Sequence, residues 1–336
     1  MRVLVTGGAG FLGSHLCETL VGRGDSVVCV DDLSTGRLSN IDPFAHHPRF
    51  DFIEWDVTKA LDARGPLDAV VHMASPASPP DYHRLPLQTL AVGSRGTENA
   101  LMLAEDKNAR FVLASTSEIY GDPLVHPQTE AYRGNVSSTG PRSVYDEAKR
   151  YAEAVSMAYA RSRGVNVGIL RIFNTFGPRM RADDGRVVSS FIAQALNHDP
   201  LTIYGDGSQT RSFCFVDDLI NGILAMVDSA WTGPVNLGNP VEHTVLELAR
   251  MILDATGSVS RIEFHPLPMD DPTRRLPDIS SAAALLGWTP QVATRKGIQE
   301  TVAYFRSVPQ EVAAAAGSLS GPQYEGSASQ RPARLG

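Results

Sequence analysis

The stretch Arg2-Val3-Leu4-Val5-Thr6-Gly7-Gly8-Ala9-Gly10-Phe11-Leu12-Gly13 decides the fold. Its first five residues form a short run rich in β-branched side chains, which predicts a buried parallel strand. The glycines predict a tight turn, and the pattern from Ser14 to Arg23 predicts a helix after it. Gly8, Gly10 and Gly13 match the dinucleotide-binding spacing, and Gly7 with Gly10 and Gly13 gives its wider variant. Such glycines let a pyrophosphate approach the backbone closely at a helix N-terminus.

A second predicted strand, residues 26–30, ends at Asp31. This acid follows the glycines at about the distance expected for a carboxylate that binds ribose hydroxyls. Because a carboxylate repels a 2′-phosphate, the sequence favours NAD over NADP as the cofactor.

Strands and helices alternate through the first half of the chain. Apolar runs predict strands at 50–55, 67–74, 109–115 and 166–172, and helical patterns cover about 87–106 and 145–163. This alternation predicts an α/β protein with a doubly wound parallel sheet. The proline-rich segment 75–80 predicts a loop at the carboxyl edge of the sheet, where ligands bind.

After Phe173 the elements become shorter and less regular. We predict an NAD-binding domain formed by residues 1–174 plus about 212–233. A smaller α/β substrate domain would comprise about 175–211 plus 234–308. The segment 309–336, dominated by Ala, Gly, Ser, Pro and Gln, predicts a disordered tail.

Composition narrows the class of protein. The 336 residues are 43% hydrophobic and 20% charged, as is ordinary for a soluble globular protein. The net charge of −7 argues against nucleic acid as a partner, and no apolar run is long enough to predict a membrane span. Cys17, Cys29 and Cys214 fit neither a disulfide framework nor zinc spacing, so we expect a reducing cytoplasm.

Tyr145 and Lys149 lie four residues apart, which places them on one face of a predicted helix. A lysine ammonium favours the phenolate form of a nearby tyrosine, and a phenolate can remove a proton from an alcohol. The segment 116–118, Thr-Ser-Glu, follows the predicted strand 109–115 and supplies further polar groups.

Six further motifs are more specific than a glycine turn, at 74–80, 115–123, 171–180, 184–189, 207–211 and 235–240. Through them the chain resembles the extended short-chain dehydrogenase/reductase family that acts on nucleotide sugars, and within it the UDP-glucuronate decarboxylases (UDP-xylose synthases). The resemblance runs from Met1 to about Arg306. It implies a Rossmann sheet with a smaller substrate domain, bound NAD, a UDP-glucuronate substrate, and a homodimer formed through helices near 95–106 and 146–162.

The resemblance also implies residue roles. Tyr145 would be the base on the sugar 4-hydroxyl, Lys149 would bind the nicotinamide ribose and lower the tyrosine pKa, and Thr116 would hydrogen-bond the 4-oxygen. Glu118 and Arg275 would support decarboxylation and reprotonation. The implied cofactor-binding residues are Gly7, Gly10, Phe11, Leu12, Gly13, Asp31, Asp32, Ser34, Thr35, Gly36, Asp56, Val57, Met73, Ser75, Ala114, Tyr145, Lys149 and Thr175. The implied substrate-binding residues are Asn174, Arg186, Val188, Tyr204, Gln209, Arg211 and Arg275.

Ser117 distinguishes loss of CO2 from loss of water. Related sugar dehydratases carry an aspartate here, as the acid for a departing hydroxyl. A serine removes both that acid and its repulsion of a substrate carboxylate, so decarboxylation is favoured. The implied reaction oxidises C4, loses CO2 from C5 beside the resulting ketone, and returns the hydride to give UDP-xylose, without a metal.

The chain departs from the family pattern at two places. The segment 91–93, Ala-Val-Gly, stands where the family typically has Lys-Thr-Asn, which removes a cation expected at the substrate and polar groups near the cofactor. We therefore hypothesise that some UDP-4-keto-pentose is released before hydride return. Arg181 replaces a usual histidine, and its cation is a candidate substitute for the missing lysine.

Two other classes of function remain open. One is a nucleotide-sugar 4-epimerase or 4,6-dehydratase, although Ser117 argues against the dehydratase, and Arg275 and the 75–80 loop argue against a generic epimerase. The other is a non-catalytic NAD-binding scaffold, which would not need the four polar groups at 116, 118, 145 and 149. The sequence also leaves open a thymine nucleotide in place of the uracil nucleotide.

Overall fold

The computed structural model describes residues 1–266 and 274–308. The segment 309–336, for which the sequence predicts a disordered tail, lies outside the described residues. No helix in the described ranges is both long and apolar enough to cross a membrane.

Strands and helices follow one another along the chain. The strands are β1 Arg2–Thr6, β2 Ser26–Asp31, β3 Phe50–Glu54, β4 Ala69–His72, β5 Arg110–Thr116, β6 Val167–Ile172, β7 Thr175–Phe176, β8 Leu201–Tyr204, β9 Thr210–Ser212, β10 Cys214–Phe215, β11 Gly233–Leu237, β12 Glu242–Thr244, β13 Ile262–His265 and β14 Arg274–Arg275. The helices are α1 Phe11–Arg23, α2 Pro79–Arg84, α3 Pro86–Ala91, α4 Thr97–Asp106, α5 Ser143–Arg163, α6 Val187–Leu196, α7 Val216–Val227, α8 Val245–Thr256, α9 Ser280–Leu286 and α10 Thr294–Ser307.

Seven strands form one parallel sheet in the order β11-β6-β5-β4-β1-β2-β3. Every residue of β4 and β5 is buried, because helices cover both faces of the sheet. This arrangement confirms the predicted doubly wound parallel sheet. The chain runs from β1 through β2 to β3 on one side and then crosses to β4 on the other side of β1. Ligands bind at such a switch point.

The two faces of the sheet carry different helices. On one face α1 packs against α7, and Leu16, Leu20 and Ile223 join one apolar core. On the other face α4 packs against α5, with Leu101 and Ala152 in a second core. Each fully buried leucine contributes about 2 kcal/mol, so these helix faces hold the framework on which the site is built.

The later part of the chain forms three small sheets, β10-β7, β12-β9-β14 and β13-β8, with α6, α8 and α10 packed together beside them. The strand β11 instead pairs in parallel with β6 and forms the edge of the central sheet. Its Val235 and Leu237 are fully buried, because α7 covers this edge and approaches Leu237 at Gly222. The central sheet therefore includes residues 234–237, which the sequence analysis places in the smaller domain.

Candidate active site

The turn between β1 and α1 forms a glycine floor at the carboxyl edge of the sheet. Gly7 has a φ of +69°, and a Cβ there would lie 2.7 Å from the backbone nitrogen of Ala74. A Cβ on Gly13 would collide with the Gly7 carbonyl oxygen, so glycine is required for α1 to begin this close to the turn. α1 begins at Phe11 without a side-chain cap, which leaves the N–H groups of its first turn for an anion.

Asp31 lies beside this floor at the end of β2 and is 7% exposed. Its carboxylate accepts hydrogen bonds from the backbone N–H groups of Ala9 and Leu33, each at 2.9 Å. Burial raises the pKa of Asp31, although these two hydrogen bonds act to lower it. A Cβ on Gly36 would lie 2.8 Å from this carboxylate. Glycines at a helix N-terminus beside an acid fit the diphosphate and a ribose of NAD.

A cavity extends from this turn to the end of β5 and the first turns of α5. Among the predicted cofactor and catalytic residues, it is lined by Gly7, Gly10, Phe11, Leu12, Gly13, Asp31, Asp32, Ser34, Thr35, Val57, Met73, Ser75, Ala114, Thr116, Ser117, Glu118, Tyr145, Lys149 and Thr175. Asn174 and Arg186 of the predicted substrate site line it as well.

Seven predicted residues do not line this cavity: Gly36, Asp56, Val188, Tyr204, Gln209, Arg211 and Arg275. Gln209 donates a hydrogen bond to the carbonyl of Tyr204 at 2.7 Å, beyond the end of β8. The pairing of β14 with β9 places Arg275 opposite Arg211. Asp56 accepts hydrogen bonds from the backbone and hydroxyl of Thr58. The ligand-binding roles of these seven residues stay predictions.

Tyr145 and Lys149 lie one turn apart on α5, and both are buried. Lys149 Nζ donates a hydrogen bond to the Ala114 carbonyl at 2.8 Å and lies 5.9 Å from the centroid of the Tyr145 ring. Burial lowers the pKa of Lys149 to about 8 and raises the pKa of Tyr145 above its usual range. The expected lowering of the tyrosine pKa is not found in this structure, because lost hydration outweighs the hydrogen bond to Thr116.

Thr116 and Ser117 lie where β5 passes into a short 3₁₀ turn. The Thr116 hydroxyl oxygen caps this turn by accepting a hydrogen bond from the Glu118 N–H at 3.2 Å. Ser117 is 2% exposed and lines the cavity, so this position offers a small hydroxyl and no carboxyl group.

The Glu118 carboxylate binds two guanidinium groups. Arg142 Nη2 donates to Oε2 at 2.6 Å, while Arg275 Nη1 binds Oε1 and Arg275 Nη2 donates to Oε2 at 3.1 Å. Burial acts to raise the pKa of Glu118, but Arg275 and then Arg142 hold it at about 2. Glu118 is therefore ionised at neutral pH, and the three side chains together carry one positive charge. The sequence reasoning missed Arg142, although its place three residues before Tyr145 was a usable signal.

Asp146 is a second residue that the sequence reasoning missed. It is 5% exposed, and its Oδ1 has no hydrogen-bond partner among residues 1–266 and 274–308. Burial and then the charge of Glu118 raise the pKa of Asp146 to about 7, although Arg142 and Arg275 act to lower it. An acid on a polar helix looks like a surface residue in the sequence, so no local signal marked it.

The segment 91–93 interrupts the helix predicted at 87–106. α3 ends at Ala91, a π-helical turn runs over Val92–Gly96, and α4 begins at Thr97. A Cβ on Gly93 would lie 2.7 Å from the Cβ of Ala148 on α5. Gly93 therefore allows this turn to pack closely against the helix that carries Lys149.

Arg181 lies at the cavity wall between two carboxylates. Its Nη2 donates to Asp81 Oδ2 at 2.9 Å, and its Nε donates to Asp183 Oδ1 at 3.1 Å. These contacts compensate its charge, which argues against Arg181 as a substitute for the missing lysine.

Sequence comparison relates the chain to known enzymes. Residues 3–238 match the profile of the NAD dependent epimerase/dehydratase family. The chain is 51% identical over 304 residues to UDP-glucuronic acid decarboxylase 1 of Danio rerio, which covers 90% of this chain and 72% of that protein. It is 48% identical over 299 residues to UDP-glucuronic acid decarboxylase 6 of Arabidopsis thaliana, with 89% and 87% covered.

Structural comparison finds the same fold in enzymes with other names. UDP-glucose 4-epimerase from Thermotoga maritima, solved with UDP-glucose, has a TM-score of 0.83 at 28% identity, covering 91% of this chain and 99% of that one. UDP-glucuronic acid 4-epimerase from Bacillus cereus, in complex with UDP-glucuronic acid and NAD, has a TM-score of 0.81 at 28% identity with the same coverage. dTDP-glucose 4,6-dehydratase from Streptomyces venezuelae, with NAD bound, has a TM-score of 0.83 at 30% identity, covering 91% and 97%. Because these names cover different reactions, the fold alone does not select one of them.

Proposed function

Because this chain belongs to the NAD dependent epimerase/dehydratase family, we propose that it is a UDP-glucuronate decarboxylase, an NAD-dependent carboxy-lyase that forms UDP-xylose. The observation that carries the proposal is the catalytic end of the cavity. There, Ser117 supplies no acid, and the ionised Glu118 carboxylate that lines the cavity is compensated by Arg142 and Arg275, which do not line it. The identity of about one half with UDP-glucuronic acid decarboxylases, over nine-tenths of the chain, supports the same reading.

The chain's own residues hold the cofactor and move one proton. The glycine floor would hold the NAD diphosphate, Asp31 would bind the ribose hydroxyls, and Lys149 would bind the nicotinamide ribose. When bound, NAD supplies an acceptor and later a donor of hydride at sugar C4. Tyr145 accepts the 4-hydroxyl proton. The hydrogen bond from Thr116 favours its phenolate against the opposing effect of burial, and the nearby Lys149 ammonium is proposed to add to this effect.

Loss of CO2 then follows from the substrate's own chemistry. The ketone at C4 lies β to the carboxylate, so its carbonyl takes up the electron pair as the bond from C5 to the carboxyl carbon breaks. Hydrogen bonds from Thr116 and the re-protonated Tyr145 stabilise the enolate oxygen. A proton from solvent at C5 restores the ketone. Reduction at C4, with the proton returned to the 4-oxygen by Tyr145, gives UDP-xylose.

The cluster of Arg142, Glu118 and Arg275 makes the site compatible with an acidic sugar. The two guanidinium groups compensate the charge of the Glu118 carboxylate, so that it does not repel the substrate carboxylate, whereas an aspartate at 117 would. We also propose that some UDP-4-keto-pentose leaves before the hydride returns, because the Ala-Val-Gly segment at 91–93 lacks polar groups near the cofactor. This ketone is then a second product of the same reaction.

Proton NMR of the purified protein with UDP-glucuronate and NAD tests the function. New anomeric signals of UDP-xylose, with or without a 4-keto pentose, support it, and UDP-xylose alone at low NADH contradicts the early release. An unchanged spectrum rejects the proposal and favours a non-catalytic NAD-binding scaffold. Formation of UDP-galacturonate would instead indicate a 4-epimerase, the activity in the name of the Bacillus cereus protein. Competition by dTDP against UDP decides the base of the nucleotide.

We also propose a homodimer formed through α4 and α5. Their side chains Met102 and Tyr151 are 47% and 44% exposed, so these two helices present apolar surface that a second chain can cover. A measured mass of one chain in light scattering would reject this. A reducing cytoplasm is proposed because Cys17, Cys29 and Cys214 are all buried and unpaired.

A further inference from the structure

Three segments that are distant in sequence line the same side of the cavity. They are the loop after β2 at 31–37, the segment 75–84 that includes α2, and the loop 177–186 before α6. The first follows Asp31, the predicted ribose-binding acid, so this side is the cofactor side of the cavity.

Asp81 is the point where these segments meet. It is 5% exposed and accepts hydrogen bonds from Ser78 Oγ at 2.7 Å, Arg84 Nη2 at 3.2 Å and Arg181 Nη2 at 2.9 Å. Arg84 also reaches the carbonyl of Ser34 at 3.4 Å, in the loop after β2. The carboxylate thus ties α2 to both neighbouring loops.

Arg181 connects the loop 177–186 to the other two segments. Its side chain is 17% exposed, it contacts the Thr35 carbonyl at 3.5 Å, and its Nε binds Asp183. The loop that carries it passes through Arg179, whose φ of +68° is strained for a residue other than glycine. An ion pair that is mostly desolvated leaves a costly unpaired charge when one partner is removed. His15 at Pro178, Glu18 at Arg179 and the Ala77 carbonyl at Arg186 anchor the two ends of the loop. The Asp81–Arg181 pair ties its middle to α2.

We propose that the Asp81–Arg181 ion pair is a strap that holds the loop 177–186 against the segments 31–37 and 75–84 and thereby sets how long NAD stays in the cavity. Asp81 and Arg181 act as positioning residues. A cofactor that stays bound through the cycle can return its hydride to the sugar that supplied it, so the strap favours UDP-xylose over the 4-keto product. The inference rests on NAD binding, and only this consequence for the products rests on the proposed decarboxylation.

The rate of cofactor dissociation tests the strap. The full-length protein is loaded with NADH, excess NAD is added, and the loss of bound-NADH fluorescence is followed. Arg181→Gln and Asp81→Asn are each expected to raise the dissociation rate about tenfold. The double variant should stay well below the product of the two effects, because both single changes remove the same Asp81–Arg181 contact. Arg181→Lys keeps the charge but loses the forked guanidinium geometry. Its dissociation rate is expected to lie between those of the parent and Arg181→Gln.

Arg295→Gln is the matched control. It removes a surface pair of the same residue types, Arg295 with Asp254 at 3.2 Å, between α10 and α8, and should leave the rate unchanged. Rates within twofold of the parent in folded single variants would overturn the strap, as would a double variant whose effect is the product of the two single effects. If Asp81→Asn does not fold, the two Arg181 variants decide the question.

The product ratio separates this inference from the proposed function. If the parent protein leaves UDP-glucuronate unchanged, the decarboxylase proposal fails, but the dissociation rates still decide the strap. If the parent forms UDP-xylose and Arg181→Gln changes neither the dissociation rate nor the share of 4-keto pentose, the strap alone fails.

Discussion

Replacing Asp146 by asparagine is expected to stabilise the protein, and to do so more at pH 8 than at pH 5. The carboxyl is 5% exposed, and its Oδ1 lacks a hydrogen-bond partner in the described part of the chain. Burial, Glu118 and Glu147 raise its pKa from 3.8 to about 7, against the opposing effect of Arg142 and Arg275. The folded protein therefore holds this proton more tightly than the unfolded chain does.

The size of the effect follows from this difference. A rise from 3.8 to about 7 is about 3 pKa units, or about 4 kcal/mol at ~1.4 kcal/mol per unit. The stabilising proton is fully bound below pH 3.8, and its contribution is lost as the pH rises through about 7. Asparagine is neutral throughout. The variant should therefore gain about 4 kcal/mol at pH 8 and about 2 kcal/mol at pH 5.

Urea unfolding of Asp146→Asn and the parent at both pH values measures this difference. Asp106→Asn is the control, because it makes the same chemical change on a side chain that is 69% exposed. An equal gain at pH 5 and pH 8, or a loss of stability at pH 8, would refute the assignment of a buried, partly protonated carboxyl.

Three further changes test the site. Ser117→Asp places a carboxylate beside the substrate carboxylate and should lower kcat/KM for UDP-glucuronate at least about tenfold. NMR measures the rate, with Ser117→Ala as the milder control. An unchanged rate would contradict the role of the serine. Arg142→Gln removes the net positive charge around Glu118 and should raise the KM for UDP-glucuronate about tenfold. Calorimetry should show unchanged binding of UDP. An equal loss of affinity for UDP-glucuronate and UDP would indicate a structural role instead. Gly13→Ala should abolish NAD binding in a folded protein, because its Cβ collides with Gly7, and retained binding at the parent affinity would show that the turn can relax.

Sequence reasoning succeeded where the signal is local. The β1 strand, the glycine turn and Asp31 lie within one short βαβ unit, so their spacing alone predicts the parallel sheet and the cofactor floor. The i,i+4 spacing likewise places Tyr145 and Lys149 on one helix face, and both line the cavity.

Sequence reasoning failed where a contact joins segments that are distant in the chain. The strand β11 joins the central sheet because its apolar residues are covered by α7, which no local pattern near residue 234 reveals. Arg142 meets Glu118 and Asp81 meets Arg181 across separations of 24 and 100 residues. The pKa of Asp146 depends on burial and on Glu118, so it exists only after folding.

By itself the sequence determined the sheet, the glycine floor and the Tyr145–Lys149 pair, because backbone conformation and side-chain periodicity are properties of neighbouring residues. The tertiary structure alone decided the charge at the catalytic end of the cavity and the pairing of Asp81 with Arg181. Electrostatic interactions act through space, and their strength depends on how much water folding has removed.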